Sequence, residues 1–181
     1  MDTSTLPPGK FRLVVTYFEM HAPPAKPLRP APEGLRIERV HQVPIHFYRY
    51  LHGTVGQACV WWERRDQTDA QLVSELHSDV YRLYVPYLDG APAGLMECRE
   101  TAPQEIQLNY FGIFREHWGR GLGGYLLRWL AETLFAEGVT RFWLHTCNLD
   151  SANAIPAYRA AGFTQYDEKV SIIDDPRLRK A

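Results

Sequence analysis

Two clusters of residues have types and spacings that could do chemistry. The first is the turn Gly119–Gly124, inside the stretch QLNYFGIFREHWGRGLGGYLL (Gln107–Leu127), where Gly119, Gly121, Gly123 and Gly124 surround Arg120 and Leu122. Leu108, Tyr110, Phe111, Ile113 and Phe114 come before it, and Leu122, Leu126, Leu130 and Leu134 follow at helical spacing. The turn therefore leads from a buried strand into a helix. The first amides of a helix lack internal partners and sit at the positive end of its dipole. Glycines let an anion approach those amides, and Arg120 can add a charge-assisted contact. The chemistry is phosphate binding. Gly123-Gly124-Tyr125 does not supply the Gly-Lys-Ser/Thr of a Walker loop, and Arg141–Thr146 lacks the carboxylate of a dinucleotide fold. The second cluster is His145-Thr146-Cys147. Residues two apart on a strand share a face, so an imidazole and a thiol would be neighbours, as in a Cys nucleophile. No orienting acid or oxyanion turn accompanies them, and a buried thiol is the simpler reading.

The elements that must position these residues follow from pattern and punctuation. Phe11–Met20 is β-branched and aromatic and reads as a strand. Residues 21–34 carry Pro23, Pro24, Pro27, Pro30 and Pro32 and read as an extended connection. Leu35–Val40 alternates as a short strand. Val43–Gly56 places Val43, Phe47, Tyr50, Leu51 and Val55 on one helical face, with Pro44 in the first turn. Thr68-Asp69-Ala70-Gln71 is a capping box ahead of a second helix. Tyr81–Leu88 and Ala93–Arg99 flank Asp89-Gly90, a hairpin signal, and a strand begins near Glu105. After the central helix, Gly138 is a stop and Thr140–Thr146 a strand, which implies parallel pairing across the helix. Asp150 or Ser151 caps a last helix holding Ala154, Ile155 and Tyr158 and closed by Gly162, with Pro156 near its start. Phe163–Ile173 supplies the remaining strand structure. The expectation is one α/β domain over residues 1–181 with a mixed sheet, and with tails at 1–10 and 174–181.

The 181 residues suffice for a real core, and 45% hydrophobic with 23% charged is the balance of a soluble globular protein. A net charge of -1 implies no broad attraction to nucleic acid or anionic membrane. The N-terminus lacks an apolar secretory core, and no run approaches a membrane span. Cys59, Cys98 and Cys147 are scattered and odd in number, which reads as reduced thiols in a cytoplasm. The seven histidines never pair at metal-ligand spacing, so no metal is expected.

Trp118-Gly119-Arg120-Gly121-Leu122-Gly123 resembles the Q/R-x-x-G-x-G/A segment of the GNAT N-acetyltransferase superfamily, with Trp118 in place of the usual Gln or Arg. A second segment, Asn148–Phe163, is similar to the family's later motif: an Asn region, an Ala, a Tyr four residues on, and a closing Gly-Phe. The two motifs together occupy under a third of the chain. The resemblance implies a GNAT-like mixed, mostly antiparallel twisted sheet with a parallel strand–helix–strand core, flanking helices and an extra N-terminal strand. It implies acetyl-CoA as co-substrate, its pyrophosphate held by Trp118, Gly119, Arg120, Gly121, Leu122, Gly123 and Gly124. Phe111 and Ile113 would flank the pantetheine arm through backbone groups. The usual Asn three before the Ala is Ser151 here, and Asn148 is the candidate substitute. Tyr158 aligns with the family's general acid, which protonates the departing thiolate.

The resemblance also raises the question of a general base. Several members place a Glu where this chain has Gln107, and an amide does not accept a proton usefully. Glu97, Glu19, Glu105 and His46 are the alternatives, with Glu97 and Glu19 retained as base or acceptor contacts. The acceptor site belongs to the N-terminal third, rich in aromatics: Trp61, Trp62, Tyr17, Phe18, His46, Tyr48 and Tyr50. The expected activity is transfer of an acetyl group to an amine of a small molecule or peptide by direct attack. The alternative is a non-catalytic acyl-CoA-binding module.

Overall fold

The computed structural model describes residues 6–57, 61 and 63–178. Cys59 and Trp62 therefore lie outside the described residues. β-branched and aromatic runs form the strands β1 (Lys10–Met20), β2 (Leu35–Val40), β3 (Tyr81–Leu88), β4 (Ala91–Pro92), β5 (Gly94–Ala102), β6 (Glu105–Ile113), β7 (Arg141–Cys147) and β8 (Thr164–Asp174). Amphipathic stretches form α1 (Ile45–Gly56), α2 (Asp69–Leu76), α3 (Leu122–Ala136) and α4 (Ala154–Ala161). The strands make one sheet in the order β2-β3-β5-β6-β7-β1-β8, with β4 paired to β3. Every pairing is antiparallel except β6 with β7, the pair that α3 connects.

Local signals act as their chemistry requires. Asp89 and Gly90 both have positive φ, 52° and 86°, as a type I′ hairpin turn needs. Thr68 accepts from the Gln71 amide at 3.3 Å and donates its own N–H to Gln71 Oε1 at 2.7 Å, completing the capping box.

Three expectations are corrected. In α1 the buried face is Tyr48, Leu51, His52 and Val55, while Tyr50 is half exposed, because the Tyr48 hydroxyl reaches the buried Glu97 of β5 and His52 packs against Trp61 and Tyr110. In α4 the N-cap is Asn153 with no side-chain cap bond, since Asp150 and Ser151 are engaged in the turn before it. At the C-terminus the expected tail begins inside β8. Lys10 pairs with Asp174, Lys10 Nζ lies 2.7 Å from its carboxylate, and Pro176 is buried in a 3₁₀ turn.

The sheet has a core on each face. Phe18, Met96, Ile106, Leu126, Leu130, Phe142 and Phe163 pack beneath α3 and α4, while Tyr48, Leu51, Leu72, Val85, Leu95 and Phe114 pack beneath α1 and α2. At about 25 cal/mol per Å² of apolar surface, burying such side chains is the main favourable term holding the layers together.

The feature that makes a site is an irregularity in β6. Its register against β5 runs Glu97↔Tyr110 and then Cys98↔Leu108, so Asn109 is an extra, bulged residue. The parallel pairing with β7 stops at the same place, at Leu108↔Leu144. Beyond it, among the described residues, β6 is paired only with β5, and the end of β7 only with β1. The two central strands part, and a cavity opens between them.

Candidate active site

The cavity has a volume of about 410 Å³. Its walls are the free edge of β6 from Asn109 to Ile113, the end of β7 with His145 and Cys147, the turn Leu149–Ser151, and α4 with Tyr158. Trp61 and Glu63, from the connector after α1, and Trp118 close the remaining sides.

Phe114 N–H donates to the Ala93 carbonyl at 2.8 Å, on the β5 side. Backbone alternation then turns the Ile113 and Phe111 amides and carbonyls toward the cavity. The Trp118 indole donates to the Ile113 carbonyl at 2.9 Å, so this residue uses one of those acceptors while bringing the glycine turn against β6. Gly119 and Gly121 have φ of 75° and 72°, the left-handed region that favours glycine, and Gly121 is the N-cap of α3. Gly123 sits close to β6: a Cβ there would lie 3.1 Å from Ile113 Cδ1. Gly124 faces open space, and the Leu122 side chain is buried in the core, so these two can contribute only backbone to an anion. Arg120 is exposed at this turn.

Sequence reasoning missed a second guanidinium here. The proline-rich segment 21–34 has no regular structure but is fastened across the sheet's helical layer. Arg128 donates to the Lys26 carbonyl, and Leu28 packs on the core. That path brings Arg29 Nη2 within 3.5 Å of where a Cβ on Gly121 would stand. No local pattern around Arg29 carries this information, which is set by where the segment docks.

Tyr158 is 9% exposed and lines the cavity, its ring set 6.0 Å from Phe18 and 6.1 Å from Phe163. Ser151 lines the cavity while its hydroxyl accepts from the Asn153 amide at 3.3 Å. Asn148 is a correction. Its amide accepts from Val14 N–H at 3.0 Å and donates to the Arg12 carbonyl at 2.9 Å, extending the β1–β7 ladder, and it does not line the cavity. Asn153, at the start of α4, does line it. Asp150 was expected as a cap. It instead accepts from Thr146 Oγ1 at 2.8 Å, Cys147 N–H at 2.9 Å and Trp61 Nε1 at 3.3 Å, and so pins Trp61 over the cavity.

Both carboxylates expected as bases stand elsewhere. Glu97 is fully buried and held by Tyr48 Oη and Arg64 Nη2, each at 2.5 Å, and by Asn109 Nδ2 at 3.2 Å. Its oxygens meet three donors, and it does not line the cavity. Arg64 also bonds Glu75 and Tyr81 beneath a polar pocket that shares Glu63, Asn109 and Tyr110 with the main cavity. Glu19 lies four residues along β1 from Val15, which lines the cavity, a separation of roughly 13 Å at strand spacing. It bonds Arg141 at 2.9 Å and His21 at 3.2 Å; burial works against its charge, but those two partners hold its pKa below the ordinary value.

The His145–Cys147 pair does reach the cavity, but the thiol is unsuited to attack. Burial, reinforced by the Asp150 charge, raises the Cys147 pKa to about 11, so it stays protonated near neutrality. His145 Nδ1 lies 3.3 Å from Gln107 Nε2, with His145 one residue beyond the last β7 position paired to β6. Among the described residues no group of three or more His, Cys, Asp and Glu side chains could hold a metal ion, and no helix is long and apolar enough to cross a membrane.

The model of the acetyltransferase (GNAT) family matches residues 39–163, well over half of the chain. The chain belongs to the GNAT acetyltransferase family. A search of curated proteins finds no match at a significant level. Among solved structures, a functionally unknown conserved protein from Staphylococcus epidermidis superposes with a TM-score of 0.66 at 18% identity, covering 91% of this chain and 62% of that one. A GCN5-related N-acetyltransferase from Sphaerobacter thermophilus gives 0.63 at 21% identity, with 88% of this chain and 50% of that one covered. An aminoglycoside acetyltransferase from an uncultured soil metagenomic sample gives 0.57 at 14% identity, with 71% and 88% covered. These likenesses concern the fold, the mostly antiparallel sheet with one parallel pair. This GNAT chain spans about half to three-fifths of the first two structures it matches.

Proposed function

We propose that this protein is an acetyl-CoA-dependent N-acetyltransferase that moves an acetyl group to an amine of a small molecule or peptide by direct attack. The observation that carries the reading is the cavity at the parting of β6 and β7, which brings a free strand edge, Tyr158 and the approach to the glycine turn together. Acetyl-CoA supplies the acyl thioester. Its diphosphate fits the backbone amides at Gly119–Gly124 with Arg120 and Arg29 beside them, charges that strengthen hydrogen bonds to phosphate oxygens. The free groups of Phe111 and the Ile113 amide offer a pantetheine arm the pairing that a further strand would make.

Tyr158, lining the cavity from α4, is the general acid of this reading. A thiol has an ordinary pKa near 8.5, and a phenol at hydrogen-bond distance lowers the barrier to its departure by giving it a proton. The amine enters from the side of Trp61, Tyr110 and Glu63, where two aromatic faces and a carboxylate suit a cation. The test is release of free thiol from acetyl-CoA across a panel of amino acids, polyamines, aminoglycosides and peptide N-termini. Thiol release that depends on one class of amine is the expected result. Binding of acetyl-CoA without release on any amine would identify a binding module instead.

A further inference from the structure

Of the groups weighed for taking the ammonium proton, position 107 is an amide and Glu97, Glu19, Glu105 and His46 do not line the cavity, whereas His145 and the Glu63 carboxylate do. Beyond Leu144 the next residue of β7 is His145, at the point where the strands separate. Its ring is fixed from two sides. Gln107 from β6 meets Nδ1 at 3.3 Å, and Tyr17 from β1 lies at a centroid distance of 5.7 Å. Nε2 has no protein partner among the described residues, and the residue lines the cavity together with Tyr158. The two ends of the Gln107 amide have nearly the same shape, so a half-turn reverses the bond. Nδ1–H then donates to Oε1, and the Nε2 lone pair is left for an incoming group. An ammonium ion, which is donor only, selects that arrangement.

We infer that His145 is the general base of this acetyltransferase and that Gln107 is the positioning residue that fixes its tautomer, an inference that rests on the N-acetyltransferase reading above. The ammonium proton passes to His145 Nε2. The freed nitrogen lone pair attacks the thioester carbonyl carbon, and a C–N bond forms as the C–S bond breaks. The sulfur takes its proton from Tyr158, and the second proton of the new amide nitrogen returns to the tyrosine oxygen. The charged groups around the ring are Glu63 on the connector and Asp150 in the turn before α4, with Lys169 of β8 behind Tyr17, 5.1 Å from that ring. Desolvation by the cavity wall lowers the imidazole pKa, against the pull of Asp150 and Glu63, so the ring is neutral at pH 7 and ready to accept. The same desolvation acts on a bound ammonium and narrows the gap between the two.

The test is a pH series of kcat/KM with two acceptors, an alkyl amine and an aromatic amine that is already neutral at pH 7, for the native protein and for His145→Gln. The native profile should rise through an inflection on the acid side of about 6.5 and then stay flat toward the alkyl amine's own pKa of about 10.4. With the aromatic amine, which needs no proton removed before it attacks, that inflection should be much weaker. His145→Gln should lose about 10²-fold with the alkyl amine at pH 7, the usual scale for a general base. Its loss with the aromatic amine should be much smaller, and its profile should climb through neutrality with no plateau. Gln107→Glu should move the native inflection to higher pH, because an anion on Nδ1 favours imidazolium; an unmoved inflection would remove Gln107 from the proposal. An inflection that survives in His145→Gln, or equal losses with both amines, overturns the assignment of the base. Thermal stabilisation by acetyl-CoA confirms that the variant is folded and loaded, and His145→Asn takes its place if it is not. Absence of turnover by the native protein on every amine would instead overturn the N-acetyltransferase reading, and the base with it.

Discussion

Tyr158 is positioned through its ring, which sits beside Phe18 and Phe163. Tyr158→Phe keeps those contacts and removes only the hydroxyl, so the variant should fold and retain acetyl-CoA binding. Its kcat at saturating substrate should fall by roughly 10²-fold or more, as for loss of a general acid; an unchanged kcat in single-turnover measurements would make the tyrosine structural. Arg64 is a residue of the opposite kind. Its side chain is 6% exposed and its partner Glu97 is wholly buried, so Arg64→Ala leaves an unpaired carboxylate with Tyr48 and Asn109 as its remaining donors. A loss of about 3–5 kcal/mol is expected, read as a lower urea midpoint at unchanged slope. Both residues are buried polar groups, yet of the two Tyr158 alone borders the cavity.

At the scale of elements, the N-terminus of α3 and the proline-rich segment 21–34 form one phosphate-binding surface in the proposed reaction. Gly121 has φ of 72°, where a β-branched residue is strained whatever the surrounding space. Gly121→Val should therefore abolish the thermal stabilisation that acetyl-CoA gives by mass action, while the apo protein still melts cooperatively. Arg29→Ala tests the segment separately. It should raise the KM for acetyl-CoA several-fold and leave kcat within about twofold, the pattern for uniform binding lost far from the reacting atoms. An unchanged KM would leave Arg29 as a surface cation only.

For the whole molecule, protonation links the site's scaffold to stability. His52 is buried between Tyr48, Trp61 and Tyr110, and its Nε2 has no partner among the described residues. Burial, with the charges of Arg64, Arg65 and Arg49, lowers its pKa to about 3. The unfolded chain binds this proton near pH 6.5, so between the two values it carries more protons than the native state. The contribution is complete above about pH 6.5 and is lost as pH falls toward 3. Glu75 and Glu19 have lowered pKa values, burial being outweighed by bonds to Arg64 and to His21 and Arg141 respectively, and their share is lost below the ordinary carboxylate range. Melting temperature should therefore fall from pH 7 to pH 4. His52→Phe, which keeps a ring but removes the titration, should flatten the part of the curve between about pH 6.5 and 4.5. An identical slope in the variant would assign that part to other groups.

The sequence by itself determined the elements and the glycine turn, because their causes are local. A left-handed turn needs glycine at Gly119 and Gly121, a capping box needs Thr68 and Gln71 three apart, and a type I′ hairpin needs Asp89-Gly90. The parallel β6–β7 pair followed from the length of the connection through α3. The face that α1 buries departs from its apolar pattern, since Tyr48 and His52 face inward for partners on β5 and the connector. The tertiary structure alone decided which polar groups work and which are braces. Glu97 and Asn148 look like free functional side chains along the chain, but folding sets donors and acceptors around them from residues 12 to 136 positions away. Arg29 reaches Gly121 only because the proline segment docks on α3. Gln107 meets His145 because the parallel register sets it opposite Trp143, and His145, two residues further along β7, lies on the same face. Spacing along a chain specifies φ, ψ and the face of an element, whereas the choice of base, brace or ligand depends on which neighbours three-dimensional packing leaves unpaired.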